Sequence, residues 1–238
     1  MTIDPKMLRS GLERRMYFWA GMAAILVVFA GFARTFYLKF AFGTPELPLL
    51  VHLHGLVMTA WFVLFVTQAR LVAAGRTDLH RRLGVIGALL AVAVVGVGVT
   101  VAINGARLGH APAGPPPLVF LIVPLTDMLV FSLLVSSALW FRRRSDIHKR
   151  LMLLACVGIL TAAIARIPRA FGADGNIIIF FSLTILGVLA CVAYDTIRNR
   201  RLHPALACGA LLIILSWPLR LALSGTTAWM QFATWLTQ

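Results

Sequence analysis

Long apolar runs separated by short polar stretches dominate this chain of 238 residues. A helix needs about 20 mainly apolar residues to cross a hydrocarbon core about 30 Å thick. Runs of that kind fall near residues 16–38, 52–74, 83–103, 118–141, 150–171, 177–197 and 205–224. The pattern predicts an all-α fold, a polytopic membrane bundle of seven transmembrane helices.

Two short flanks complete this domain organisation. Residues 1–15 form a basic N-terminal tail, and residues 16–224 form the transmembrane domain. Residues 225–238 carry Trp229 and Trp235. Because tryptophan favours the boundary between membrane and water, we expect this last segment to lie at the outer interface.

Basic residues concentrate in the tail and in the connections after the second, fourth and sixth runs. The connections on the opposite side hold only Lys39 and Arg107. Basic connections stay in the cytoplasm, so the bias predicts a cytoplasmic N-terminus and an outer C-terminus. We expect a multi-pass protein of the bacterial cytoplasmic (inner) membrane.

Composition excludes an ordinary soluble domain. The chain is 60% hydrophobic and 13% charged, whereas soluble domains are about 45–50% apolar and about 25% charged. The net charge of +14 would suggest nucleic acid in a soluble protein. Membrane orientation explains these bases, so we expect lipids as partners and no nucleic acid. The three cysteines form no CxxC pair and indicate no zinc site.

A weak internal repeat follows the basic connections. The phrases are TDLHRRL at 77–83, SDIHKRL at 145–151 and RRLHPAL at 200–206, and each places a histidine at a helix start. A repeated helical hairpin added to one extra helix would produce this pattern. Local chemistry would also explain it, with Asp78 and Asp146 as N-caps of the following helices.

The three histidines of the repeat are candidates for a site on the cytoplasmic side. If their helices are neighbours, the side chains could gather round a metal. A helix N-terminus repels cations, so a phosphate or a lipid headgroup fits better. The third interpretation is three interfacial caps. The candidates are His80, His148 and His203.

Charged residues inside the apolar runs are the main functional signal, because each costs about 2.5–3.5 kcal/mol to insert. The alternating direction of the helices places them in the outer half of the membrane, where the second run also begins. Arginine suits carboxylates and phosphates, since its planar fork donates two hydrogen bonds and keeps its charge. The candidate ligand-binding residues are Arg34, Asp127, Arg166, Arg169, Arg220, His52 and His54.

This grouping predicts an outward-facing, arginine-rich pocket for a small anionic or amphiphilic molecule, in a carrier or a sensor. The alternative is that the arginines reach lipid phosphates while Asp127 pairs with one of them. A second alternative is a membrane enzyme acting on a lipid or quinone, with Asp127 or a histidine as the acid–base group. The pattern does not decide whether the protein is an enzyme.

The segment 51–61 supports a different alternative, a haem b protein for electron transfer or assembly. His54 shares a helix face with Met58 and Trp61, and Gly55 would let a flat group approach. Haem b needs axial imidazoles from facing helices and basic partners for its propionates. His54 is the candidate ligand, but a second histidine at matching depth is missing. A metal site of His52, His54 and His110, or a structural histidine pair, remains open.

Several phrases resemble known membrane proteins. HLHG at 52–55, DLHRRLG at 78–84, DIHKRLM at 146–152 and SWPLR at 216–220 resemble a family of bacterial seven-helix proteins with no assigned activity. This resemblance covers most of the chain and implies the topology only. The HxHG and LHRRLG phrases are also faintly similar to haem proteins of the cytochrome b561 kind, which implies haem b as a candidate cofactor.

Overall fold

The structure is a computed structural model that describes residues 5–112, 114–170 and 177–238. Side chains are described from Arg15 onward, except at 169, 170 and 177. The fold is all-helical, with 82% helix and no strand in the described part of the chain. Seven helices are long and apolar enough to cross a membrane, which confirms the predicted fold class and supports a multi-pass membrane protein.

Some of the seven spans are single helices, and others are joined from shorter pieces. The first span is α1 followed by one π-helical segment, Ala33–Tyr37. The fourth joins α4 and α5, and the fifth joins α6 and α7. The helices are α1 Pro5–Phe32, α2 Leu49–Ala73, α3 Thr77–Arg107, α4 Pro117–Phe120, α5 Ile122–Trp140, α6 Ser145–Gly158, α7 Thr161–Ile164, α8 Ile167–Ala170, α9 Ile177–Asn199, α10 Pro204–Ser224 and α11 Thr227–Leu236.

Helix ends differ from the ends of the apolar runs. The first helix begins at Pro5, well before the apolar run at 16, and α3 begins at Thr77 rather than near 83. Hydropathy marks the part of a helix that suits lipid, whereas backbone hydrogen bonding continues into the polar flank. The C-terminal segment contains a helix of its own, α11.

The prediction that two aspartates are N-caps is wrong. Helices α3 and α6 begin at Thr77 and Ser145, so Asp78 and Asp146 are the second residues of their helices. The N-cap positions are arginines without a side-chain cap hydrogen bond. A carboxylate in the first turn still stabilises the helix, because it faces the positive end of the macrodipole.

Neighbouring spans pack in hairpins around one apolar core. Helix α2 lies between α1 and α3, α5 packs on α3 and α6, and α10 packs on α5, α6 and α9. The rings of Trp61 and Phe131 meet edge to face at 4.9 Å in this core. Below, the basic end means the end of the bundle that carries the connections 74–76, 141–144 and 200–203.

The fifth span is broken in its second half. Helix α6 ends at Gly158, and a turn precedes α7 at Thr161. A hydrogen bond of 3.0 Å between the hydroxyls of Thr161 and Thr184 holds this break against α9. Helix α1 covers it from the other side, where Gly31 lies so close to Ala163 that a side chain would strike its backbone. The break is therefore fixed by tertiary packing.

Candidate functional site

A buried ion pair joins the fourth and seventh spans. Arg220 Nη1 donates to Asp127 Oδ1 at 2.6 Å, and the two side chains are 3% and 14% exposed. Arg220 Nη2 donates to the Ser216 hydroxyl at 3.1 Å, and the guanidinium lies 4.1 Å from the Trp217 ring centroid. Arg220 Nε is buried and has no hydrogen-bond partner. The pair is therefore neutral overall but incompletely bonded.

Helix geometry places this pair deep in the bundle. Asp127 lies ten residues after Pro117, the first residue of its span, which is about 15 Å at 1.5 Å per residue. That distance is about half the thickness of a hydrocarbon core. Ionisable groups at such depth are costly and mark functional sites by default.

A small cavity lies beside the ion pair. Gly158 and Ile159, at the break in the fifth span, form part of its wall, together with Asp127, Trp217 and Arg220. The space open to a water-sized molecule is about 10 Å³, enough for about one water. The indole Nε1 of Trp217 is buried without a partner. In this conformation the site can hold a water molecule but nothing as large as a carboxylate.

Arg34 and Arg166 do not line the cavity. Arg34 is exposed in the π-helical segment, with its guanidinium 5.0 Å from the Phe42 ring centroid. Arg166 lies 4.7 Å from the Phe32 ring centroid and donates to the Ala162 carbonyl. The Arg169 side chain lies outside the described residues. From the predicted set, the structure thus brings together Asp127 and Arg220. The guanidinium groups of Arg34 and Arg166 lie over phenylalanine rings instead.

The two histidines of the second span both lie within α2, which begins at Leu49. The His52 ring packs on the Phe36 ring at 5.9 Å between centroids. His54 Nδ1 is buried and has no hydrogen-bond partner. Phe36 fills the space beside Gly55 that a flat group would need. No second histidine ring contacts His54 within the described chain. The haem hypothesis therefore has one candidate axial ligand, where haem b needs two.

The three histidines of the repeat divide into a pair and a cap. The His80 and His148 rings lie 6.2 Å apart between centroids and are nearly perpendicular. His203 is the N-cap of α10, accepting from the Ala205 amide at 3.2 Å, and its Nε2 contacts Asp146 Oδ2 at 3.2 Å. Of the three predicted histidines, only His80 and His148 therefore lie together. His203 is a helix cap, as one of the interpretations expects.

A second buried ion pair was missed by sequence reasoning. Arg150 Nε donates to both carboxylate oxygens of Asp195 at 3.0 Å, and Nη2 contacts Oδ1 at 2.8 Å. Nη1 donates to the Asp146 carbonyl at 2.7 Å. Asp195 is the only acid in its apolar run, and that isolation is the signal that could have identified it. The pair ties α6 to α9 near the basic end.

An ion pair in the connection after the first span lies outside the membrane helices. Lys39 Nζ donates to Glu46 Oε2 at 2.7 Å. The lysine side chain is 5% exposed and the glutamate 81%. The hydrogen bond and the charge of Lys39 lower the pKa of Glu46 below its ordinary value. This pair fastens the connection at the opposite end of the bundle.

Comparisons with protein-family models, with curated proteins and with solved structures found no match to this chain. Function is therefore inferred from side-chain geometry. Arg220 keeps its positive charge and can change its anionic partner. One of its N–H groups is already unpaired, and the Asp127 carboxylate can accept a proton.

Proposed function

We propose that this membrane protein binds a small carboxylate or phosphate anion at Arg220 and carries it across the bilayer. The Arg220–Asp127 pair, buried beside a break in a membrane helix, is the observation that supports this proposal. Irregular backbone at membrane depth is tolerated where it lines a cavity, and broken helices form the central sites of many transporters.

Charge balance requires that Asp127 change its protonation state when an anion binds Arg220. Arginine stays protonated, so Arg220 must keep an anionic partner in the membrane interior. When the anion binds the guanidinium, the Asp127 carboxylate takes up one proton and becomes a neutral hydrogen-bond donor. The site then holds one cation and one anion in both states. Each anion is therefore bound together with one proton.

Binding requires the cavity to enlarge, because its present volume suits a single water. The break between Gly158 and Thr161 borders this cavity and interrupts the regular hydrogen bonding of the fifth span. Movement of the end of α6 away from α10 would open the site. In the predicted orientation, the outer half of the membrane also contains Arg34, Arg166, Arg169, His52 and His54. There they would raise the local concentration of anions.

Thermal unfolding of the purified chain in detergent tests the proposal. The probes are acetate, citrate and inorganic phosphate, with chloride at matched ionic strength as the reference. A probe present at 100 times its Kd raises the free energy of unfolding by about 2.7 kcal/mol. Wild-type protein should be stabilised by at least one probe, and Arg220→Gln should lose that response.

Arg76→Gln is the matched control, because it removes an exposed arginine at the basic end. It should respond as wild type does. If Arg220→Gln does not fold, Arg220→Lys keeps the charge without the planar fork, and its response should be weakened. The proposal is abandoned if no probe stabilises the wild type, or if Arg220→Gln responds in full.

A second candidate function is haem b binding through His54. The observation in its favour is the buried, unpartnered Nδ1 of His54. Its test is the visible spectrum of protein purified from haem-supplemented cells. A Soret band that disappears in His54→Ala supports this candidate, and a colourless preparation excludes it.

A further inference from the structure

The repeat places two histidines from distant parts of the chain against each other. His80 and His148 are each the fourth residue of a helix, α3 and α6, and they occupy the same position in the phrases DLHRR and DIHKR. Their ring centroids are 6.2 Å apart. Below, these two residues are called the histidine pair. The proposed anion site does not include them.

The tautomer of His148 follows from its hydrogen bond. Its Nδ1 lies 2.8 Å from the Ala138 carbonyl oxygen. A carbonyl only accepts, so Nδ1 carries the hydrogen and the Nε2 lone pair of the neutral ring is free to bind a metal. Metal-binding histidines commonly donate their other ring N–H to a backbone carbonyl in this way.

Two atoms that could bind a metal, one in the histidine pair and one on a neighbouring glutamine, have no hydrogen-bond partner. His80 Nδ1 and Gln68 Oε1 are buried and have no hydrogen-bond partner. Gln68 is fixed beside His80, because its Nε2 donates to the His80 carbonyl at 3.2 Å. Leaving a buried polar atom unpaired costs about 1–3 kcal/mol, so a ligand that binds these atoms would recover that cost.

The spacing of the rings suits one bridging ion. A ring nitrogen lies about 1.2 Å from its centroid and metal–imidazole bonds are about 2.0–2.1 Å long, so two imidazoles on one ion have centroids at most about 6.5 Å apart. The observed 6.2 Å lies within that limit. Among the described residues no group of three or more His, Cys, Asp or Glu could hold a metal. A third ligand must therefore be of another kind, and the unpaired Gln68 side-chain oxygen and water are the candidates.

The electrostatic surroundings restrict the choice of ion. Both histidines lie in the first turn of a helix, where the macrodipole is positive, and each precedes a base, Arg81 or Lys149. This positive field weakens the binding of cations. Only an ion with high affinity for imidazole would be retained, and copper has the highest affinity in the first-row series.

We propose that His80, His148 and the Gln68 side-chain oxygen form a copper site near the basic end of the bundle. Binding of copper would join α2, α3 and α6, and α3 and α6 begin with two of the three repeated phrases. The site is separate from Arg220, so either proposal can fail without the other.

The test uses the full chain in detergent, purified without a polyhistidine tag and loaded with copper(II) sulfate. After desalting, metal analysis should find about one copper per chain. Electron paramagnetic resonance should show nitrogen hyperfine coupling from two imidazoles. His80→Gln and His148→Gln should each weaken binding by about 100-fold, and Gln68→Leu by about 10-fold.

His203→Gln is the matched control, since His203 is the third histidine of the repeat and bonds Asp146 instead. It should keep wild-type affinity. The proposal is overturned if wild-type copper shows no coupling to two nitrogens, a result that does not depend on whether any variant folds. A Soret band that is lost in His80→Gln would also overturn it, because the pair would then be a haem site.

Discussion

Two buried arginine–aspartate pairs occupy the same bundle, and they are bonded very differently. Arg150 uses Nε, Nη1 and Nη2 on Asp195 and a backbone carbonyl, and both side chains are about 5% exposed. Arg220 makes one contact to Asp127, leaves Nε unpaired and borders a cavity. A fully bonded pair fixes helices in place, whereas a partly bonded pair beside a space can change partners.

The largest expected effect is on the fully bonded pair. Asp195→Ala leaves Arg150 charged and buried, and removing one partner of such a pair costs about 3–5 kcal/mol. We expect unfolding in detergent at much lower temperature or denaturant concentration than for the wild type. The double variant Arg150→Met with Asp195→Leu should recover most of that loss, because apolar replacement of a buried pair is often neutral. No recovery would mean that the charges themselves are needed.

The next effect separates the two pairs directly. Asp127→Ala should cost about 1–3 kcal/mol, less than Asp195→Ala, because the cavity lets water approach Arg220. Acetate should restore stability to Asp127→Ala by replacing the missing carboxylate. Asp195→Ala should gain nothing from acetate, because the Arg150–Asp195 pair is buried and fully bonded. Equal rescue of both variants would remove the distinction between a locked and an exchangeable pair.

A smaller effect is expected at the packing that holds the helix break. Gly31→Val places a side chain against the Ala163 backbone, and such overpacking typically costs about 1–3 kcal/mol. Gly96→Ala is the control, since nothing lies within 4 Å of the added carbon. The thermal midpoint of each variant measures the difference. A Gly31→Val protein as stable as Gly96→Ala would show that α1 does not hold the break.

The smallest effect concerns the ion pair of buried Lys39 and exposed Glu46, in the connection after the first span. Lys39 lowers the pKa of Glu46 in the folded protein, so folding is favoured more when this carboxyl is ionised. That contribution is present above the unfolded pKa of about 4.3 and is lost as the pH falls through the lower folded pKa. Glu46→Gln should therefore lower the thermal midpoint slightly at pH 7, and by less at pH 3. A gap that is the same at both pH values would contradict this.

Sequence reasoning found both members of the Arg220–Asp127 pair, missed the Arg150–Asp195 pair and found the histidine pair only within a larger group. Arg220 and Asp127 were both candidates because charge inside an apolar run is visible in the sequence. Asp195 was overlooked because it lies close to the bases that end its run, where an acid suggests an interfacial position. The histidine pair was foreseen as part of a trio, since a repeat shows equivalent positions but not distances.

The break at Gly158 was not predictable in the same way. The run around it is uniformly apolar, and Gly158 alone is a weak signal, because many membrane helices contain glycine. The contacts that fix the break come from three other spans, through Gly31, Thr184 and Ile213. Local hydropathy contains no information about such contacts.

The sequence by itself determined the seven spans, the basic connections and the set of residues too polar for their surroundings. These features follow from the free energy of transferring each segment from water to lipid, which depends on the residues of that segment alone. Only the tertiary structure decided that Arg220, rather than Arg34 or Arg166, pairs with Asp127 across 93 positions of the chain. Several arginines at similar depth compete for one acid, and only the packing of α10 against α5 selects among them.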